Sequence, residues 1–208
     1  MTRTRSTART TGAPVVIIDS GGANLASLVY ALERLDTPSE VSSDPKRIRT
    51  ARRVLLPGVG AAADAMQRLR RPGLHELIPE LTQPLLGICL GMQLLYRHSE
   101  EGDTPCLGVI DSDVQRLEPA LGRPVPHMGW NTLEIDEDDP LLRGFSASDY
   151  FYFVHSFAAA RGPATLASVN YGRALTAVVR RDNFWGVQFH PERSGAAGAR
   201  LLRNFLEL

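Results

Sequence analysis

The sequence predicts an α/β fold: a single domain on a mixed sheet, parallel in its core and flanked by helices. Three observations carry this. A short apolar run, a glycine turn and a helical pattern follow one another three times in the first half of the chain, which signals βαβ units and a parallel sheet. Six further strand patterns crowd the second half, and the chain closes on an amphipathic segment.

In order, Val15–Asp19 is a β-branched run ending at Ser20-Gly21-Gly22, and Leu25, Leu28, Val29, Leu32 and Leu35 then recur at helical spacing. Arg53–Leu56 reads as a strand stopped by Pro57-Gly58-Val59-Gly60, before a helix over Ala61–Leu69. Leu85–Ile88 is the third strand, and Gly91–His98 is expected to begin a helix. Leu107–Leu117, Thr132–Ile135, Tyr150–Val154, Thr165–Val169, Leu175–Arg180 and Phe184–Phe189 read as strands, with a hairpin turn at Arg181-Asp182-Asn183. Ala199, Leu202, Phe205 and Leu206 mark one face of the closing helix.

The 208 residues suffice for one buried core, and 43% hydrophobic with 22% charged content is that of a soluble domain. Basic and acidic residues number 23 each, so no positive field points to nucleic acid or an anionic membrane. Residues 1–13 hold three arginines and no acid among many Thr and Ser. We expect a disordered tail there and the domain over 14–208, although an acid-free, Arg/Ser-rich start also fits a transit peptide. No apolar stretch is long enough to span a bilayer. Two cysteines, Cys89 and Cys106, make no disulfide framework, and the expected setting is the reducing cytoplasm. No cysteine–histidine cluster has zinc spacing, and Ser20-Gly21-Gly22 matches neither dinucleotide nor P-loop patterns, so no metal or cofactor is expected.

The chemistry concentrates in two segments. PLLGICLGMQ at 84–93 puts Cys89 between Gly87 and Gly91 where a strand gives way to a helix. A nucleophile at such a junction needs a sharp, strained turn with small neighbours, the logic of the G-x-S-x-G elbow with sulfur for oxygen. A helix N-terminus also favours a thiolate. Cys106 follows Thr104-Pro105 in a plain loop and reads as structural. VQFHPE at 187–192 supplies the base. In extended chain His190 and Glu192 project to one side, so the carboxylate can orient the ring toward the thiol. An acyl-transfer site needs oxyanion donors. Candidates are the Leu90 N–H and the Gly58-Val59-Gly60 segment, which ends a neighbouring strand of the same sheet. His75 and His98 read as solvated helix residues.

These motifs, in this order, resemble the class I (triad) glutamine amidotransferases, over about residues 15–208. The resemblance implies a flavodoxin-like fold in which Cys89 attacks the glutamine carboxamide, with His190 and Glu192 as base and orienting acid. It implies an oxyanion site from Leu90 and Gly58–Gly60, and a grip on the substrate's α-groups by Gln93, Ser156 and Phe157. IDSGGANL at 18–25, PHMGWN at 126–131, YFVHSF at 152–157 and FHPERSG at 189–195 are similar to members that pass ammonia to a (β/α)8-barrel cyclase subunit in histidine biosynthesis. By that analogy Asn24, Met128, Trp130, Tyr152 and Arg193 lie at the docking face, and the free subunit is nearly inactive. Ala23 stands where the family's first loop usually has glycine. Competing readings are an amidotransferase serving anthranilate, aminodeoxychorismate, pyridoxal phosphate or purine synthesis, a stand-alone cysteine hydrolase, and a non-enzymatic binding module.

Overall fold

β1 (Val15–Ile18) is buried on both faces, and its alternate residues divide between two cores. Val15 and Ile17 join Leu28, Leu32, Phe151, Phe153, Phe189 and Phe205 on one side. Val16 and Ile18 join Leu56, Met66, Leu69, Leu74 and Met92 on the other. A strand sandwiched in this way is what a βαβ sheet with both faces covered demands. The computed structural model describes residues 14–20 and 25–208; the tail at 1–13, Ala23 and Asn24 lie outside the described residues.

α1 (Leu25–Glu33) leads to β2 (Ser39–Ser42), α2 (Pro45–Arg49) and β3 (Arg53–Gly58). α3 (Ala62–Arg70) and α4 (Leu74–Leu77) precede β4 (Leu85–Cys89). β1, β3 and β4 fall where the sequence predicts them, but β2 was not anticipated, because Ser-Glu-Val-Ser has neither apolar face nor bulk. It is a sheet edge, where polar residues suffice. α2 had a readable signal: Asp44 caps it, accepting from the Lys46 N–H at 2.9 Å, and Pro45 opens it.

The helix expected over 91–98 is a single turn, α5 (Leu90–Gln93). Met92, Leu94 and Leu95 are all fully buried, so this stretch has no solvent face to sustain a surface helix. The chain instead enters β5 (Tyr96–Ser99), and His98 lies on that strand, its Nε2 2.9 Å from Asp103 Oδ1. With β6 (Thr104–Pro105), β7 (Ile110–Arg116) and later β11 (Phe157–Ala159), β5 forms a separate four-stranded sheet.

β8 (His127–Thr132) begins five residues before the predicted Thr132 start and is followed by the short β9 (Glu134–Ile135). β8 pairs antiparallel with β10 (Tyr150–His155) as a two-stranded ribbon. β12 (Thr165–Asn170), β13 (Ala174–Arg181) and β14 (Phe184–Val187) complete the main sheet, whose order is β2-β1-β3-β4-β14-β13-β12-β9. It is parallel from β2 through β14 and antiparallel beyond, as predicted. The hairpin turn sits at Asp182, which takes a positive φ of 54°. α6 (Gly195–Glu207) buries Ala197, Gly198, Leu201, Leu202 and Phe205, while the predicted Ala199 and Leu206 lie at the margin of that face. Among the described residues no helix is long and apolar enough to cross a membrane.

This topology brings three distant segments together. β3, β4 and β14 are adjacent and parallel, so their carboxyl ends open on one side of the sheet, where ligands collect in such folds. PGVG, the cysteine and the histidine segment all lie there.

Candidate active site

Cys89 ends β4 with φ 54° and ψ −112°, a conformation that side chains rarely adopt. Such strain is the mark of an elbow: the chain turns so sharply that the side chain leaves the sheet and faces open space. The register pairs Gly58 with Cys89, so the PGVG segment and the elbow are immediate neighbours. Ser20 Oγ donates to the Pro57 carbonyl at 2.7 Å and pins the start of that segment.

His190 stands three residues past the end of β14. Its Nδ1 lies 2.9 Å from Glu192 Oε1, with both side chains under a tenth exposed. A carboxylate oxygen accepts, so Nδ1 carries the proton and the other ring nitrogen is free to meet the Cys89 sulfur, with which the ring interacts. Burial works against a charged ring here. The hydrogen bonds to Cys89 and Glu192 outweigh it, and the imidazole is raised to about 10. Its stabilising contribution is therefore complete below the unfolded value of about 6.5 and is lost as pH rises through about 10.

Ser194, which the sequence reading did not single out, locks the base in place. Its hydroxyl donates to the His190 carbonyl at 2.7 Å and accepts from the Tyr152 N–H at 3.0 Å, while the His190 N–H donates to the Tyr152 carbonyl at 2.9 Å. The signal was present in FHPERSG, but a serine four residues past the histidine has no role readable without β10 beside it.

A cavity of about 650 Å³ lies over the thiol, lined among others by Val59, Gly60, Cys89, Leu90, Gln93, Glu101, Ser156, Phe157 and His190. That is room for an amino-acid-sized ligand. Gly58 lies below it, packed on Leu90 and Gly91. Gln93 is buried and donates through Nε2 to the Phe157 carbonyl at 2.8 Å. His155 Nδ1 donates to the same carbonyl at 2.9 Å, and the Ser156 carbonyl is taken by Leu117 N–H at 2.8 Å. These two carbonyls are spent on the protein, so any grip on a ligand by this backbone must come from N–H groups. The unpredicted member of the lining is Glu101, whose Oε2 accepts from the Ala62 N–H at 2.8 Å and leaves a negative charge at the cavity wall.

The glutamine amidotransferase class-I family model matches residues 16–208. The chain belongs to the class I glutamine amidotransferases. It is 53% identical over 194 residues to the imidazole glycerol phosphate synthase subunit HisH of Xanthomonas axonopodis pv. citri, covering 93% of this chain and 97% of that one. The HisH subunit of Vibrio cholerae is 48% identical over 200 residues, with 93% and 98% covered. A glutamine amidotransferase crystal structure superposes with a TM-score of 0.72 at 25% identity, covering 93% and 97% of the two chains. Within the family this chain therefore groups with the HisH subunits, and it is an enzyme.

The amidotransferase also presents an apolar ribbon beside the cavity mouth. Pairing sets Tyr152 opposite Trp130 and Val154 opposite Met128, so these four share one face. The other face buries Phe151, Phe153, His127 and His155 in the protein. On the outer face Met128 and Trp130 are 62% and 55% exposed, Trp130 meets the Tyr152 ring edge-on, and Arg193 stacks its guanidinium over Tyr152 at 4.7 Å. Exposed Met128 and Trp130, half-buried Tyr152 beside them and Arg193 from the turn at Pro191–Arg193 are residue types enriched at interfaces. Asn24, predicted to join them, lies outside the described residues.

Inside the ribbon, His127 Nδ1 lies 3.0 Å from His155 Nε2. Because His155 Nδ1–H is committed to a carbonyl, His155 Nε2 must accept and His127 must donate. Burial pushes His127 down to about 4; burial and the neighbouring His127 push His155 down to about 3. Both rings are neutral at physiological pH.

Proposed function

We propose that this chain hydrolyses glutamine with a Cys89–His190–Glu192 triad and delivers the ammonia to a (β/α)8-barrel cyclase subunit. That subunit uses the ammonia to convert a ribulosyl-aminoimidazole nucleotide into imidazole glycerol phosphate and an aminoimidazole carboxamide ribotide in histidine biosynthesis, in the cytoplasm. The observation that carries the reading is the series of thiol, buried imidazole and buried carboxylate opening on one cavity.

The Cys89 sulfur attacks the side-chain carbonyl carbon of glutamine, and the C=O π-electrons move onto oxygen. Leu90 N–H, as the first amide after the elbow, and the Val59–Gly60 wall receive that oxyanion, with Gly58 serving to bring the segment close. The His190 imidazolium gives its proton to the departing nitrogen, and ammonia leaves a thioester on sulfur. The now neutral ring takes a proton from water, which attacks the thioester and releases glutamate. Gln93 and Glu101 meet the substrate's α-ammonium, and the Ser156 and Phe157 backbone meets its α-carboxylate. Met128, Trp130, Tyr152 and Arg193 dock the barrel, with Asn24 beside them.

Mixing the chain with the barrel cyclase from the same source and its nucleotide substrate should yield glutamate and imidazole glycerol phosphate in equal amounts. Full glutamine turnover by the chain alone, together with cleavage of γ-glutamyl peptides, would instead establish a stand-alone hydrolase. The assembled enzyme should also keep its glutaminase rate through pH 8 and lose it only as pH approaches about 10, where His190 gives up its proton. In Glu192→Gln that alkaline limb should move toward neutrality. A wild-type limb near pH 7 would remove the imidazolium from the mechanism.

A further inference from the structure

Gln188 is fully buried directly behind the nucleophile, yet nothing in the mechanism above employs it. A buried primary amide must place two donors and one acceptor, so its surroundings reveal what it is for. Its Oε1 accepts from Gln93 Nε2 at 3.0 Å, and its own Nε2 points to the Cys89 sulfur at 3.8 Å. Which end of each amide faces which neighbour follows from one fixed point. The Phe157 carbonyl can only accept, so Gln93 must turn its NH2 toward it. The second hydrogen of that NH2 then reaches Gln188, which must offer oxygen to Gln93 and nitrogen to sulfur. The Phe157 carbonyl is itself held by His155, whose tautomer is set by the same bond.

We infer that Gln188 is a positioning residue that donates a hydrogen bond to the Cys89 thiolate, its orientation dictated in series by Gln93 and the Phe157 carbonyl. A donor aimed at sulfur favours the anion over the thiol. The Val154 carbonyl, 3.8 Å from the sulfur on another side, can engage only the protonated form. His190 is the charged group against the sulfur, while Glu101, Arg193 and neutral His155 line the same cavity. The series has a second consequence. Both hydrogens of Gln93 are spent, so its free Oε1 is the group left for a substrate ammonium, and one amide chain ties the substrate's α-end to the reactivity of the nucleophile.

This inference rests on Cys89 as the nucleophile. The test is the rate of carbamidomethylation of Cys89 by iodoacetamide on the full chain, read by peptide mass so that Cys106 is resolved separately. Gln188→Met, which keeps the volume and removes both donors, should slow alkylation of Cys89 about tenfold at pH 7. The deficit should narrow as the pH is raised, because a donor that favours the anion matters less where alkaline pH itself favours it. Gln93→Met should give the same slowing at pH 7, although Gln93 does not touch the sulfur, because it frees the Gln188 amide to turn. Should Gln188→Met fail to fold, Gln188→Glu retains the shape and should slow alkylation further by setting a carboxylate against the thiolate. Alkylation at the wild-type rate in a folded Gln188 variant, or an equal deficit at every pH, would overturn the relay and leave the triad standing. Glutamine turnover surviving in Cys89→Ala would instead overturn the triad.

Discussion

Cys89→Ala is expected to reduce glutamine-dependent synthesis by the assembled enzyme at least about 10⁴-fold, while added ammonia still supports the cyclase reaction. The asymmetry follows from the division of labour. The thiol does its work on the carboxamide of glutamine and on nothing downstream, so supplying the nitrogen directly bypasses its loss. Cys106→Ala is the matched control. Burial pushes that thiol up to about 11 against the opposing pull of Arg70, with a smaller upward push from Glu101, and it lies away from the cavity with its Sγ on the Thr104 carbonyl at 3.4 Å. It should leave both activities unchanged. Assaying glutamate, imidazole glycerol phosphate and ammonia-driven product in parallel separates the outcomes. A Cys89→Ala enzyme equally dead with both nitrogen sources would contradict the proposed roles, and one fully active with glutamine would end them.

What the sequence conveys of this site is what local spacing conveys. His190 and Glu192 stand two apart and do pair, but not in the extended chain expected: Pro191–Arg193 winds into a single 3-10 turn that starts at His190 and brings the carboxylate back to the ring. The glycines around Cys89 announce an elbow because only a tight turn needs them. The sheet's parallel core was readable from three buried β-branched and leucine-rich runs, each followed by a turn.

What escaped depends on tertiary partners. Ser194 acts through Tyr152, forty-two residues away, and Glu101 enters the cavity from a turn that has no periodicity of its own. His127 and His155 become a neutral pair only because β8 and β10 lie side by side in that register. The helix expected after Cys89 stops after one turn because Leu94 and Leu95 are both claimed by the second core. Propensity yields there to packing. Gln188 is the instructive intermediate: it sits inside a segment recognised from sequence, but its role is defined by two residues and a carbonyl that only the fold assembles.

Gly91→Ala is expected to cost more stability than any other single methyl group near the site. A Cβ on Gly91 would stand 1.7 Å from the Leu56 carbonyl oxygen and 2.7 Å from its carbon, both of them backbone. No rotamer can relieve that contact, and Leu56 is held in β3 between β1 and β4. Either the elbow lifts off the sheet or the β3–β4 ladder parts, and in both cases Leu90, Met92 and the Cys89 sulfur move with it. We expect a loss of more than about 3 kcal/mol, beyond the usual range for overpacking, with little soluble protein recovered. Gly60→Ala provides the comparison that identifies the cause. Gly60 has a φ of 89° but nothing within 4 Å of its Cβ position, so alanine meets conformational strain alone, about 1–2 kcal/mol. Urea unfolding of the two variants should therefore differ widely in midpoint. If Gly91→Ala unfolds no earlier than Gly60→Ala, the elbow does not rest on the strand as described, and the close approach that aims the sulfur at its substrate would have to be abandoned.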